Sequence, residues 1–246
     1  MSGAAAGVTV FVAEVTGRAR EAAHALLLRA AAAELAVPAG DLAVDHEPGG
    51  RPRLAGAPAP LHVSISHARD ALVAVALSRH CPVGVDVETT PVRPVGQLAR
   101  RWLAPAEAAW VTGLPASEQP GGFCHLWVQK EAACKALGTG LRRGGTRRPV
   151  TLPERWPTGE EPLRHRPDGR LPAGAELTLR ALPGRTDLAV TACVLDAPPA
   201  GRLAVAAWSA VRPVVRVYCV GAVPLIVDTD FPRGAHAARP AVESPA

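Results

Sequence analysis

The chain has 246 residues and a mass of 25.5 kDa, enough for one large domain or two small ones with a buried core. Hydrophobic residues make up 48% but aromatics only 4%, so the packing is thin and aliphatic. A net charge of +5 and a pI near 9.3 favour anionic partners, either a phosphorylated small molecule or an acidic protein. Nucleic-acid binding is disfavoured, because no aromatic interleaves the densest basic cluster, Arg142 to Arg148.

Five cysteines, Cys81, Cys124, Cys134, Cys193 and Cys219, are odd in number and form no CxxC pair. They exclude a disulfide framework and a zinc site, and fit reduced thiols in a cytoplasm. Met1-Ser2-Gly3-Ala4 has no basic stretch of the kind that opens a secretory signal. The longest apolar run, Val214 to Val227, is interrupted by Arg216 and is too short to span a bilayer.

In chain order, Val8 to Val15 alternates as an opening strand, and Glu21 to Leu35 reads as a helix ended by Pro38-Ala39-Gly40. Leu42 to Val44 is a short strand before the Pro-Gly-Gly turn at 48–50. Leu61 to Ile65 and Ala71 to Leu77 read as strands, with Ser66-His67 at the end of the first. Val83 to Glu88 is another strand. Leu98 to Trp110 and Phe123 to Leu137 are helices, the second stopped by Gly138-Thr139-Gly140. Leu177 to Leu182 and Leu188 to Val194 pattern as a hairpin across Pro183-Gly184.

Helix-then-strands thus occurs twice, on either side of about residue 80. The reading is an α+β protein of two similar halves, 1–80 and 81–198, with an extension at 199–246. Residues 199–228 have room for one or two strands, and Phe231 to Ala246 has the composition of a disordered tail.

Of 27 basic residues only two are lysine, Lys130 and Lys135, and both flank Glu131. A compact ammonium on a flexible stem can sit against a phosphate or beside a metal-bound carboxylate where a guanidinium fork cannot. In Gly84-Val85-Asp86-Val87-Glu88 the valines alternate with Gly, Asp and Glu. On a strand, Asp86 and Glu88 therefore share one face, about 7 Å apart. That pair is either the polar face of an edge strand or two oxygen ligands for a hard cation such as Mg²⁺. Glu131 and Lys135 are either an ordinary helical i,i+4 pair or a third ligand and a phosphate-facing cation. Three carboxylates converging on one point repel unless a cation is bound. Ser66 and His67 are potential donors to phosphate oxygens. Glu107, just after Pro105, complements a helix N-terminus. No GxxxxGK[ST] loop or nucleophile elbow is present, so P-loop and serine-hydrolase chemistry are not supported.

Together these residues resemble the 4′-phosphopantetheinyl transferase superfamily, in its monomeric surfactin-synthetase-activating type. That family carries a Gly-x-Asp-x-Glu strand and a Trp-(Ser/Thr)-x-Lys-Glu-(Ala/Ser)-x-x-Lys helix, found here as Gly84 to Glu88 and Trp127 to Lys135. Gly50-Arg51-Pro52, Ile65-Ser66-His67, Gly138 to Leu141 and Leu188-Ala189-Val190 are supporting matches. The resemblance implies transfer of the phosphopantetheine arm of coenzyme A to a serine of an apo acyl or peptidyl carrier protein. It implies a pseudo-dimeric fold with the active site in the cleft between halves, and neither nucleic-acid nor membrane binding. Asp86, Glu88 and Glu131 would hold Mg²⁺, and Lys135 would stabilise the pyrophosphate. Glu107, 24 positions before Glu131, would act as general base. Arg51, Ser66, His67 and Lys130 would line the coenzyme A site. Val128 departs from the usual hydroxyl residue. The lysines that often hold the 3′-phosphate are absent, leaving Arg18, Arg20 and Arg29 as substitutes. The alternatives are another Mg²⁺-dependent phosphoryl transferase or hydrolase using the same acids, or a non-catalytic module that binds carrier proteins.

Overall fold

The computed structural model describes residues 7–69, 71–141, 145–157, 163–164, 175–196 and 201–220. The first elements are β1 (Gly7–Glu14), α1 (Ala19–Leu35), β2 (Ala43–His46), β3 (Pro52–Ala55), β4 (His62–Ala68) and β5 (Leu72–Ser78). Then come β6 (Val83–Thr89), α2 (Gly96–Trp102), α3 (Pro105–Gly113) and α4 (Gln119–Leu137). The last six are strands: β7 (Leu163–Arg164), β8 (Ala175–Leu177), β9 (Arg180–Ala181), β10 (Leu188–Asp196), β11 (Gly201–Trp208) and β12 (Val214–Val220).

The chain is α+β, as the sequence predicts. One sheet has the order β4-β5-β1-β12-β8 and the other β6-β11-β10-β7, with β9 on β10 and β2-β3 as a separate hairpin. Strand alternation sorts the core into layers. Val8, Val10 and Val12 of β1 pack with Val83, Val85, Val87 and Leu203 in a cluster drawn from both sheets. The opposite face of β1, Phe11 and Ala13, packs on α1 through Ala23, Leu26 and Leu27. Across the molecule, α2, α3 and α4 cover the outer face of the second sheet around Leu103, Val111, Leu126 and Ala132. The result is helix, sheet, sheet, helices.

Both sheets contain the same path. β1 is followed by α1 and then by the antiparallel pair β4-β5, whose second strand returns antiparallel to β1. β6 is followed by α4 and later by β10-β11, whose second strand returns antiparallel to β6.

Three expectations change. The span Leu98 to Trp110 is two helices, because Pro105 forces the residue before it out of helical backbone; Ala104 is extended at φ −64, ψ 152. Residues 177 and 181 do not share one hairpin arm. Leu177 pairs with Val215 of β12, while Ala181 pairs with Ala189 of β10, so the chain crosses between sheets at 178–179. Residues 201–220, read as part of an extension, are built into both sheets: β11 lies between β6 and β10, and β12 runs parallel to β1. The tail expected at Phe231 to Ala246 lies outside the described residues, as do Arg142 and Arg143.

One contact fixes how α4 lies on β6. A Cβ built on Gly84 would sit 1.9 Å from the Ala132 carbonyl oxygen and 2.6 Å from the Ala136 nitrogen, so only glycine lets the strand touch the helix backbone. Gly84→Ala is therefore expected to lose at least the roughly 1–3 kcal/mol typical of overpacking, read as a lower urea midpoint. A variant as stable as the parent would show that this crossing can relax.

Candidate functional site

With Gly84 seated on α4, the next two outward positions of β6 face the same helix. Asp86, Glu88 and Glu131 each offer an oxygen, all within 4.8 Å of one another. Asp86 is 2% exposed. Its Oδ1 accepts hydrogen bonds from Ser66 Oγ at 2.7 Å and from Lys135 Nζ at 2.7 Å. Its Oδ2 is buried with no partner among the described residues. A buried carboxylate oxygen without a donor costs several kcal/mol unless something absent from the polypeptide satisfies it. Three converging carboxylates, one of which has an orphaned oxygen, fit a hard divalent cation.

The electrostatics agree. Burial pushes the Glu88 carboxyl up to about 7, with further upward pressure from Asp86 and partial relief from Lys135 and Arg69. Glu131 is likewise pushed up to about 7, by burial first and Asp86 next, against Lys135 and a hydrogen bond from Trp127. That hydrogen bond gives the motif tryptophan, one turn earlier on α4, a direct role. Val128, in the position that departs from the family pattern, is fully buried among apolar residues, so a methyl group there is at home.

β6 lies at a sheet edge, and its exposed backbone is closed by side chains. Val85 N–H donates to Ser64 Oγ at 3.0 Å, and Val85 C=O accepts from Lys135 Nζ at 3.0 Å. Ser64 and Ser66 share one face of β4, so the first sheet supplies both serines to β6. Ser66 lies inside β4, which runs on to Ala68 rather than ending at Ser66-His67.

Glu107 and Lys130 meet each other instead. Lys130 Nζ sits 2.7 Å from Glu107 Oε2 and 2.9 Å from Oε1, and donates to the Arg148 carbonyl at 2.6 Å. Glu107 also accepts from Ala104 N–H and Val150 N–H, each at 2.8 Å. Both side chains are essentially buried. Burial lowers the Lys130 pKa, with Glu107 pulling it back.

Arg51 donates to the carbonyls of Lys135 and Ala136 at the end of α4. His67 faces away from Ser66 and lies within electrostatic reach of His24, whose other basic neighbours are Arg20 and His46. Burial, then Arg20, then the two imidazoles lower the His24 pKa. His24 and His46 have ring centroids 6.0 Å apart. The sequence reading missed this pair, because α1, β2 and β4 bring its members together across long separations. A cavity of about 220 Å³ adjoins Glu88, with Phe123, Trp127 and Trp102 on its walls and Arg69 and Arg93 beside it.

Residues 82–178 match the family model described as the 4′-phosphopantetheinyl transferase superfamily. The 4′-phosphopantetheinyl transferase psf-1 of Bacillus pumilus is 31% identical over 110 residues, 44% of this chain and 45% of the relative. HetI, a 4′-phosphopantetheinyl transferase of Nostoc sp., is 33% identical over 113 residues, 44% of this chain and 47% of the relative. A holo-acyl-carrier-protein synthase of Edwardsiella ictaluri is 50% identical over 48 residues, 20% of this chain and 36% of the relative. The chain thus spans less than half the length of these curated relatives. Residues 82–178, which carry both signatures, are thus similar to the 4′-phosphopantetheinyl transferase superfamily. No helix among the described residues is long and apolar enough to cross a membrane.

Two outcomes follow from this geometry. Glu107→Ala or Lys130→Ala leaves a buried charge unpaired and is expected to cost about 3–5 kcal/mol in urea unfolding, whereas replacing both by apolar residues costs much less. For the triad, the folded carboxyls of Glu88 and Glu131 hold protons up to about 7, well above their ordinary value near 4.5. Folding without metal therefore weakens as pH rises from about 5 to 8, because the unfolded chain releases those protons first. A Mg²⁺ ion held by these acids would bind the ionised form, so its protection would grow over the same range. Thermal unfolding across that range, with and without Mg²⁺, is compared with Glu88→Gln/Glu131→Gln. A parent whose metal-free stability climbs relative to that variant with pH has the opposite sign.

Proposed function

We propose that this chain is a Mg²⁺-dependent transferase that moves the 4′-phosphopantetheine arm of coenzyme A to a serine of an apo acyl or peptidyl carrier protein. The observation that carries the reading is the Asp86–Glu88–Glu131 convergence, with Asp86 Oδ2 orphaned and Lys135 alongside. The activities named for the relatives agree with it. The serine oxygen forms the new phosphoester as the pyrophosphate P–O bond breaks. The electron pair leaves with 3′,5′-ADP, and the serine proton is released to water.

Asp86, Glu88 and Glu131 are the residues that would hold the ion, which supplies charge neutralisation on the pyrophosphate when bound. Asp86 is held in place by Ser66 and Lys135, so its free oxygen keeps one orientation. The Lys135 ammonium adds a second positive charge where the leaving group gains negative charge. Glu107 suits a positioning role better than that of general base: four contacts from three donor groups and both its oxygens committed leave it no free face for a serine proton. Lys130, spent on the same pair, is assigned to it and not to the nucleotide.

For the nucleotide phosphates, the gathering of Arg20, His24, His46 and His67 favours Arg20 over Arg18 and Arg29. Basic groups assembled on one another are stabilised by a bound anion. The cavity beside Glu88, part aromatic and flanked by Arg69 and Arg93, suits the approach of an acidic carrier protein. The repeated strand-helix-hairpin path in the two sheets supports a reading of two similar halves with the site between them. We assign the protein to the cytoplasm as a monomer, in keeping with five free cysteines.

Incubation with Mg²⁺, coenzyme A and an apo carrier protein should give a carrier heavier by one phosphopantetheine. Asp86→Ala should abolish the gain. Lys135→Ala should slow it by about 100-fold or more, and Lys135→Arg by at least about tenfold, because a planar fork cannot reproduce the point contact. Breakdown of coenzyme A with no mass gain on the carrier would make the protein a phosphohydrolase instead.

A further inference from the structure

Arg51 lies on the β2–β3 hairpin, 84 positions before the residue it holds. Its Nη2 donates at 2.9 Å to the carbonyl of Lys135 and also to the carbonyl of Ala136. These belong to the last turn of α4, where carbonyls have no partner within the helix and carry partial negative charge. The Gly138 cap covers part of the need: its N–H reaches the Cys134 and Lys135 carbonyls, and Thr139 N–H reaches Cys134. Ala136 C=O is met by Arg51. The guanidinium lies so close over the cap that a Cβ on Gly138, itself at φ +68, would stand 3.2 Å from Arg51 Cζ. The hairpin turn braces Arg51 in return, since Glu47 N–H donates to the Arg51 carbonyl at 2.9 Å.

Lys135 is therefore pinned at both ends. Its carbonyl is held by Arg51 on one side, while its ammonium bridges Val85 C=O at 3.0 Å and Asp86 Oδ1 at 2.7 Å on the other. A lysine stem has enough torsional freedom to place its charge in many positions. Fixing the backbone it grows from narrows that choice to the one that meets Asp86.

We infer that Arg51 is a positioning residue: it clamps the C-terminal turn of α4 and so sets the Lys135 ammonium on Asp86. The kinetic side of this inference rests on the transferase reading; the structural side does not.

The test has two arms, applied to Arg51→Ala and Arg51→Lys. In hydrogen exchange on the full chain, Arg51→Ala should speed exchange of the amides at Ala136 to Thr139 by about tenfold or more, with α1 unchanged as the internal control against global unfolding. Arg51→Lys should recover much of the protection, because an ammonium can also donate to helix-end carbonyls. In carrier modification, Arg51→Ala should lower kcat by about tenfold to a hundredfold with KM for coenzyme A within about twofold. Unchanged exchange in that turn overturns the clamp. A raised KM with kcat intact overturns it too, and returns Arg51 to the nucleotide. If the parent modifies no carrier, the exchange arm still decides the clamp and only the transferase reading falls.

Discussion

The site is built around a buried carboxylate that the described residues leave half satisfied. Asp86 is buried, accepts two hydrogen bonds on one oxygen and, among the described residues, has none on the other. Glu88 and Glu131 converge on the same point, and their carboxyls are held near neutrality by burial and by Asp86. A protein evolved for stability alone would replace such a cluster with apolar groups at little cost. The cluster beside one ammonium is what a bound divalent cation would complete.

The fold brings these groups together by making two backbones touch. Gly84 lets α4 rest directly on β6, and the alternate positions outward of it, Asp86 and Glu88, then share the face turned to the helix. The first sheet contributes through β4, whose alternate serines reach across to Val85 and Asp86. The same strand sends His67 to the opposite face, towards His24. One strand thus supports the acid cluster with one face and the basic cluster with the other. The two lie on opposite faces of that strand.

The chemistry of the site was more legible in the sequence than its framework. Period-two alternation in Val83 to Glu88 and the Glu131–Lys135 spacing place each functional group on one face of one element, and that information is local. The Glu107–Lys130 pair and the reach of Arg51 were not legible. Each depends on where α3, the residues around Arg148 or the β2–β3 hairpin settle in three dimensions. Sequence proximity drew Lys130 into the phosphate site with its neighbour Glu131, but adjacent helical residues point about 100° apart. The helix over 98–110 broke at Pro105 for a reason visible in the sequence, namely the restriction that proline places on the residue before it. β11 and β12 were understated because their alanine-rich and arginine-bearing runs resemble tail composition. What makes them strands is pairing with β6, β10 and β1, which no local pattern encodes.

The two lysines of an otherwise arginine-based chain can now be told apart by counting donors. An ammonium has three N–H groups. Lys130 meets three acceptors, the two oxygens of Glu107 and the Arg148 carbonyl, in a setting sealed from solvent. Nothing is left over, and its role is to hold α3, α4 and the segment after Arg147 in register. Lys135 meets two, Val85 C=O and Asp86 Oδ1, and its side chain remains 30% exposed. Among the described residues one donor is left uncommitted. A guanidinium spreads its donors over a rigid plane and fits neither place: it overfills the first and overshoots the second. The shared preference for lysine therefore has two physical origins, a closed three-acceptor pocket and an unfinished one.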